Sequence, residues 1–339
     1  MARLWTDIID PATLTGFVRA SLSDYEASRG TLARWLPNRQ VPDISVRMIV
    51  GQFGLVEEAR YRSFDAEPEF GKQPQGKRMT VDLVPLSQQG IVSERDQLRL
   101  RQSDIPDVAL NILLESAQMA ARAVSDRSER QRGSVLATGK AVIDQDNYKD
   151  EADFGRRGDF TFTAPALWSD NETDRIGQIE SWVDLYREEN GEEPGALVMS
   201  TRAARALAAG DQFAIQLVNG GNRPATLADA RTLLAGAGLP EIVLYDRKTS
   251  SGKVIPDDRV LVLPAPVDVN GDSELGATFW GQTLAATEPE YGIEPAEQPG
   301  VVSAAFTHDG IPPIRHTFVD SLTLPVLANG NLSMSVKVL

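Results

Sequence analysis

The chain lacks cysteine altogether and has only two histidines, His308 and His316, among its 339 residues. Without cysteine it can form no disulfide, no thiolate metal site and no cysteine nucleophile. Two histidines are too few for a histidine-rich metal cluster, and the sequence has neither a G-x-S-x-G segment nor a Walker motif. His316 lies in the β-like run RHTFV, where a structural role is the simpler interpretation. The sequence therefore predicts no enzyme site, no metal and no other cofactor.

Long apolar runs and a basic face are also missing. No apolar run reaches about 18 residues, so no transmembrane helix and no membrane partner are predicted. The start MARLWTDIIDPATLTGF lacks the apolar core of a signal peptide, so the chain is expected to stay in a cytoplasm-like compartment unless an assembly carries it out. The net charge is −14, and residues 265–320 hold nine acidic residues but one arginine. Such an acidic surface argues against nucleic acid as the main ligand.

The first 44 residues are predicted to form an N-terminal arm. They show short helical periodicity, which Pro37 and Pro42 then interrupt. Three large aromatic residues have little local sequence to bury them and need another part of the fold or another chain: Trp5, Phe17 and Trp35. We take these three as candidate contacts of an N-terminal arm.

A long β-hairpin is predicted over residues 45–101. The runs EEARYRSF (57–64) and KRMTVDLVPL (77–86) have strand character, and the segment between them is rich in proline, glycine and charge. An isolated hairpin is marginal in water, so this one should be ordered only above another surface. Its candidate contact residues are Glu67, Glu69, Phe70, Lys72, Lys77 and Arg78.

The strongest helix signal is SDIPDVALNILLESAQMAARAVSDRSERQRG. Asp104 is the expected N-cap and Gly133 the expected end, which gives a helix of about 40 Å at 1.5 Å per residue. Three arginines gather near its C-terminal end: Arg127, Arg130 and Arg132. A strand is predicted immediately afterwards, from Ser134 to Asp144.

Residues 165–312 are predicted to form a small α/β domain. Ser169 and Glu172 have the spacing of a capping box before its first helix. The buried-strand patterns GALVMS, EIVLYD and RVLVLP then alternate with helical segments. The end of the chain, RHTFVDSLTLPVLANGNLSMSVKVL, is predicted as a hairpin that turns at ANGN and returns to the sheet beside the long helix. The α/β domain would then be an insertion.

These parts, in this order, resemble the major capsid proteins of tailed bacteriophages, which have the HK97 fold. Within that fold they are most similar to the lambda-type capsid protein E family. The stretches that carry the resemblance are VDLVPLSQQGIVSERDQLRLRQ, VLATGKAVI, ADFGRRGDFTFTAPALWSD, RVLVLPAP with LGATFWGQT, and LTLPVLANGNLSMSVKV.

The resemblance implies an α+β, HK97-like fold with four parts. They are an N-terminal arm (1–44), an extended loop or E-loop (45–101), a peripheral domain with a long spine helix (102–164 and 313–339), and an inserted axial domain (165–312). Some members of the fold cross-link subunits through an E-loop lysine, and Lys72 and Lys77 lie in the matching loop. The lambda-type branch is not expected to form this cross-link.

The implied function is that of a structural protein that self-assembles into hexamers and pentamers of an icosahedral head around double-stranded DNA. Assembly would take place in the host cytoplasm and the mature location would be the virion. Implied partners are further copies of the chain, a scaffold, a portal and packaged DNA bound without sequence specificity, with a decoration protein as a further candidate. Two alternatives stay open, an encapsulin-like compartment and a soluble α/β enzyme with an accessory hairpin.

Overall fold

The structure is a computed structural model, and it describes residues 2–6, 9–50, 77–95, 97–98, 106–145, 148–216, 222–308 and 314–339. Its helices are α1 (Pro11–Arg29), α2 (Pro106–Thr138), α3 (Arg175–Asn190), α4 (Thr201–Ala208), α5 (Leu227–Gly236) and α6 (Leu284–Thr287). Its strands are β1 (Ala2–Leu4), β2 (Asn38–Gln40), β3 (Ser45–Val50), β4 (Lys77–Asp82), β5 (Val84–Val92), β6 (Lys140–Gln145), β7 (Tyr148–Asp153), β8 (Thr161–Thr163), β9 (Ala196–Met199), β10 (Ile215–Gln216), β11 (Asn222–Arg223), β12 (Glu241–Leu244), β13 (Lys248–Thr249), β14 (Gly252–Lys253), β15 (Arg259–Leu263), β16 (Gly276–Gly281), β17 (Val302–His308), β18 (Ile314–Leu327) and β19 (Met334–Lys337).

One six-stranded sheet, which we call the long sheet, is built on the 14-residue strand β18. β18 pairs antiparallel with β5 along one edge and with β17 and β16 along the other, since Asp320 is opposite both Ser87 and Val302. β1 extends the sheet beyond β17, and β2 extends it beyond β16. The long sheet thus joins the first and last parts of the chain.

A second sheet has five strands in the order β12-β9-β15-β19-β8. Its central strands β9 and β15 are almost wholly buried, which agrees with the apolar runs that predict them. Helices α3, α4 and α5 contribute buried residues to the core around this sheet. Mixed helices and sheets give the α+β class that the sequence predicts.

Helix α2, the spine helix, is longer than predicted. Its 33 residues correspond to about 50 Å at 1.5 Å per residue. Its middle packs into a cluster with α1 and the long sheet through Leu113, Ala117 and Val124, while Val135 and Leu136 lie in the core of the five-stranded sheet. The helix therefore connects the two cores.

The prediction that Gly133 ends the spine helix, with a strand from Ser134, is wrong. A Cβ on Gly133 would lie 2.5 Å from Val254 Cγ1, so the glycine permits close packing inside the helix. The helix continues to Thr138 and ends at Gly139, whose φ is +76°. β6 begins only at Lys140 and forms a hairpin with β7.

The prediction of a C-terminal hairpin is also wrong. β18 lies in the long sheet, whereas β19 crosses to the five-stranded sheet and pairs with β15 and β8. The connection is a short 3-10 turn, in which Asn329 caps Asn331 and Leu332 is buried. Asn190 also donates a hydrogen bond to the Asn331 carbonyl at 3.0 Å, which anchors the connection to α3.

The first helix of the α/β region begins later than the predicted capping box. Its N-cap is Asp174, which accepts a hydrogen bond from Gly177 N at 2.9 Å. Next to it, the buried Arg175 donates to the carbonyls of Trp168 and Asp170 at 2.8 Å each. These carbonyls hold the segment that contains Ser169 and Glu172 outside the helix.

The strands of each sheet come from more than one of the domain ranges that the sequence predicts. β16 and β17 fall within 165–312 but pair in the long sheet. β19 falls within 313–339 but pairs in the five-stranded sheet. The four-part division stays a prediction.

Candidate assembly interface

The base of the predicted extended loop is the β3–β4 hairpin. Its ladder runs from Ser45 opposite Asp82 to Val50 opposite Lys77. Val46 and Val81 are buried in the core around the five-stranded sheet, whereas Ile49 is 42% exposed. One face of the hairpin is thus fixed to the subunit and the other is open.

The candidate contact residues of the extended loop divide into two groups. Lys77 is the first residue of β4, and Arg78 follows it with an exposed side chain. The remaining four lie outside the described residues: Glu67, Glu69, Phe70 and Lys72. Their role between subunits stays a prediction.

Two of the three candidate arm residues are buried in their own chain. Trp5 is 5% exposed, and the Arg315 guanidinium lies 3.7 Å from its ring centroid. Trp35 is 2% exposed and donates from Nε1 to the Pro264 carbonyl at 3.0 Å. Phe17 is half-buried against the cluster formed by α1 and the spine helix. The chain's own fold therefore supplies partners, and contact with a neighbouring subunit stays a prediction.

Helix α1 is attached firmly to the long sheet. Asp10 caps it by accepting from Thr13 N at 2.8 Å, and this hydrogen bond lowers the pKa of the Asp10 carboxyl. On the buried face, Thr15 Oγ1 accepts from Ser303 N at 3.0 Å and donates to the Ser303 carbonyl at 3.1 Å. Arg19 donates to the Val301 carbonyl at 2.9 Å. The helical part of the predicted arm is thus part of the subunit core.

Three buried charged residues and one buried tyrosine form a group that we call the ionic junction: Glu129, Arg132, Arg247 and Tyr245. Glu129 and Arg132, both 0% exposed, form an ion pair of 2.8 Å within the spine helix. The Glu129 carboxylate also accepts from Tyr245 Oη at 2.5 Å and from Leu32 N at 2.6 Å. This carboxylate therefore joins three separate segments of the chain.

Arg132 extends the ionic junction to the long sheet. Its Nη2 donates to Asn38 on β2 at 2.5 Å, and its Nε donates to Thr278 on β16 at 2.9 Å. Arg247 joins from the other side, where its Nη2 donates to Asp126 at 2.9 Å. Removing one partner of such a buried set leaves an uncompensated charge and costs about 3–5 kcal/mol.

The electrostatics of the ionic junction follow from burial and from Glu129. Burial, reinforced by the Glu129 carboxylate, raises the pKa of the Tyr245 hydroxyl far above its usual value. Burial alone would lower the pKa of Arg247, but the nearby Glu129 and Asp126 carboxylates raise it overall. The tyrosine thus stays a neutral donor and the arginine stays charged.

Sequence reasoning missed the ionic junction. In the sequence, Arg132 belongs to a group of arginines whose position indicates charges at a helix end. A signal was available, because Glu129 and Arg132 are three residues apart and share one helix face. Their partners Tyr245 and Arg247 are more than 100 positions away, so the pattern alone could not bring them together.

Two further kinds of site can be assessed over the described ranges, a metal cluster and a membrane-spanning helix. In the described part of the chain, no group of three or more histidine, aspartate or glutamate side chains is arranged so that it could hold a metal ion. His316 stacks on the Phe306 ring with centroids 5.2 Å apart, as suits a structural histidine. No helix in the same ranges is long and apolar enough to cross a bilayer.

The family model of phage major capsid protein E matches residues 38–278, more than two thirds of the chain. The chain belongs to the phage major capsid protein E family. It is a phage major capsid protein of the lambda type, and its role is structural, as the sequence predicts.

Solved structures support the fold of this capsid protein. A protein assigned as the capsid protein of a prophage in E. coli CFT073 is similar over 100% of both chains, with 15% identity and a TM-score of 0.60. A phage-related protein from Bordetella bronchiseptica RB50 is similar over 95% of both chains, with 16% identity and a TM-score of 0.57. A virus-like particle from Pyrococcus furiosus covers 95% of this chain and 98% of its own, with 13% identity and a TM-score of 0.51.

These similarities confirm the predicted HK97-like fold. The comparison with curated protein sequences gives no match. The capsid family implies a shell oligomer and a location in the virion capsid.

Proposed function

We propose that this capsid protein assembles into hexamers and pentamers of an icosahedral phage head that encloses double-stranded DNA. The match to the capsid protein E family over residues 38–278 is the observation that carries the proposal. The net charge of −14 suits an inner wall that must not bind packaged DNA tightly.

The predicted division into arm, extended loop, peripheral domain and axial domain belongs to the same proposal. The extended loop from 45–101 reaches over a neighbouring subunit, with contacts from the six loop residues named above. Its described base supports this role, because β3–β4 is anchored through Val46 and Val81 while Ile44 and Ile49 are exposed. Phe17 is the arm residue best placed to contact a neighbour, since it is half-buried.

A separate scaffold, a portal and a decoration protein are the proposed protein partners, and assembly would take place in the host cytoplasm. The subunit would act without enzymatic activity. An encapsulin-like compartment is the alternative for the same fold, and the contents of the particle distinguish the two.

Deletion of residues 66–77 tests the proposal. The shortened chain should fold as a subunit with the circular-dichroism spectrum of the full chain but should fail to form stable particles. Charge reversals at Glu67, Glu69, Lys72 or Lys77 should reduce particle formation more than they reduce subunit stability. Full-size particles of unchanged stability from the deleted chain would show that the loop does not join subunits.

A further inference from the structure

A cleft of about 170 Å³ lies where the spine helix, the start of β5, the β6–β7 hairpin and the end of β18 meet. We call it the hairpin cleft. Its apolar lining residues are Val84, Pro85, Leu86, Ile143, Leu324 and Pro325. Tyr148, 41% exposed, stands at its rim. Ligand sites in proteins have this form, in which a few polar groups lie among apolar walls.

Two pairs of hydroxyl-bearing residues mark the contact between the spine helix and β18. In the first pair, the side-chain oxygens of Ser116 on the helix and Thr317 on the strand are 2.8 Å apart. Ser128 is 12 helical residues further along, which is about 18 Å, and Thr323 is 6 strand residues further along, which is about 20 Å. The similar distances place Ser128 and Thr323 at matching positions on the two elements, and both line the hairpin cleft.

The hydroxyls of the second pair, unlike those of the first, are unsatisfied. Ser128 is 2% exposed and Thr323 is 6% exposed. Neither side-chain oxygen has a hydrogen-bond partner in the described part of the chain. Because burial of an unpaired hydroxyl is unfavourable, the two groups point to an occupant of the hairpin cleft that supplies a polar group of its own.

We infer that the hairpin cleft binds a small neutral molecule with an apolar body about the size of one aromatic ring and a single hydroxyl or carbonyl group. A cavity of about 150 Å³ is large enough for a benzene molecule. A serine or threonine hydroxyl both donates and accepts, so either polar group on the ligand can bond to Ser128 or Thr323. This binding site is additional to the structural role of the protein and does not depend on shell formation.

Water suits the hairpin cleft less well than such a molecule. A buried water molecule typically makes about three hydrogen bonds to polar groups of the protein. Gln131, which also lines the cleft, already donates from Nε2 to the Val142 carbonyl at 3.2 Å. The apolar walls offer water no partner, whereas an aromatic ring on those walls removes apolar surface from water, which is favourable. A ligand with both characters therefore matches the whole lining.

Phenol and toluene test the inference on the full-length chain before assembly. Both molecules have one aromatic ring, and phenol alone carries a hydroxyl. The affinity of each is measured by calorimetric titration and by the rise in melting temperature that a bound ligand causes. Because Thr323→Val removes one hydroxyl, the ratio of phenol affinity to toluene affinity should decrease by about two- to tenfold in this variant.

Thr317→Val is the matched control for this substitution. Thr317 is on the same strand and the same face as Thr323, but it is bonded to Ser116 and does not line the cleft. The control should leave the affinity ratio unchanged. Without ligand, Thr323→Val should raise the melting temperature because it removes an unpaired buried hydroxyl, and Thr317→Val should lower it because Ser116 loses its partner.

Val84→Phe tests where the two probes bind. Val84 is half-buried in the cleft lining, so a phenylalanine ring there should occupy the space and weaken the binding of both probes. Benzoate tests the charge of the ligand and should bind more weakly than phenol. Tighter binding of benzoate would assign the polar group to Arg127, which also lines the cleft, and would overturn the assignment of a neutral ligand.

Three further results would overturn the inference. An unchanged affinity ratio or a lower melting temperature in Thr323→Val would show that this hydroxyl already has a partner, such as water. Undiminished binding of both probes to Val84→Phe would place them outside the cleft. Binding of neither probe to the unmodified chain would show that the cleft is not a ligand site. Particle formation enters none of these measurements, so failure of the proposed shell would leave them unaffected.

Discussion

The hydroxyl of Tyr245 donates a hydrogen bond of 2.5 Å to the buried carboxylate of Glu129. Tyr245 follows β12 at the edge of the five-stranded sheet, and Glu129 belongs to the spine helix that packs on the long sheet. The bond therefore connects the five-stranded sheet to the spine helix of the capsid subunit. Through Arg132, the same carboxylate is linked to Asn38 and Thr278 in the long sheet.

Tyr245→Phe tests how much this connection contributes to stability. Loss of a hydrogen bond to a buried charged group should lower the free energy of unfolding by about 1.5–3 kcal/mol. Urea unfolding of the unassembled subunit measures the change. Tyr148→Phe is the control and should have little effect, because Tyr148 is 41% exposed. Equal effects of the two substitutions would show that the Glu129 contact is not special.

Replacing the glycine inside the spine helix by alanine should change the stability in the direction opposite to the usual one. Glycine to alanine in a helix normally stabilises by about 0.5–1 kcal/mol. At Gly133 the new methyl group would lie 2.6 Å from the Val254 carbonyl oxygen, so Gly133→Ala should destabilise by about 1–3 kcal/mol.

Gly16→Ala in α1 is the matched control for this prediction. Nothing lies within 4 Å of a Cβ at that position, so the substitution should stabilise the subunit. Thermal or urea unfolding of the two variants should give shifts of opposite direction. A stabilised Gly133→Ala variant would mean that the spine helix does not pack closely on Val254.

Local patterns predicted much of the fold, including β9, β12 and β15 and helices α4 and α5. The predictions failed where a distant contact overrides a local signal. Gly133 has the sequence signature of a helix end, yet it lies inside the helix, where the lack of a side chain lets Val254 pack closely. ANGN has the signature of a hairpin turn, yet Leu332 and Asn331 are held by α3 and by the core.

The candidate site was less predictable than the fold. Trp5 and Trp35 were recognised as residues in need of partners, but a sequence does not say whether the partner is the same chain. The partners of the ionic junction are far apart along the chain, and only the folded backbone brings Arg247 to Asp126.

Asp320 predicts a pH dependence of subunit stability. Burial raises the pKa of its carboxyl, although the Ser321 backbone N–H acts in the opposite direction. The folded state therefore holds a proton more tightly than the unfolded state, so this group's contribution to stability decreases as pH rises through the folded-state pKa.

Asp320→Asn removes this charge and should raise the melting temperature at a pH of about 7, with the gain shrinking toward a pH of about 4. Differential scanning calorimetry at several pH values measures the effect. Glu180→Gln on the exposed face of α3 serves as the control and should give no such trend. A gain that does not change with pH would show that the Asp320 charge is not its cause.

Cryo-electron microscopy of the full-length protein, assembled with its phage partners, is the decisive experiment for the proposed shell. Closed icosahedral shells filled with DNA, in which each subunit extends residues 51–76 over a neighbour, are the expected result. A protein that persists as a monomer or dimer under those conditions would contradict the account, and shells filled with protein would favour the compartment instead.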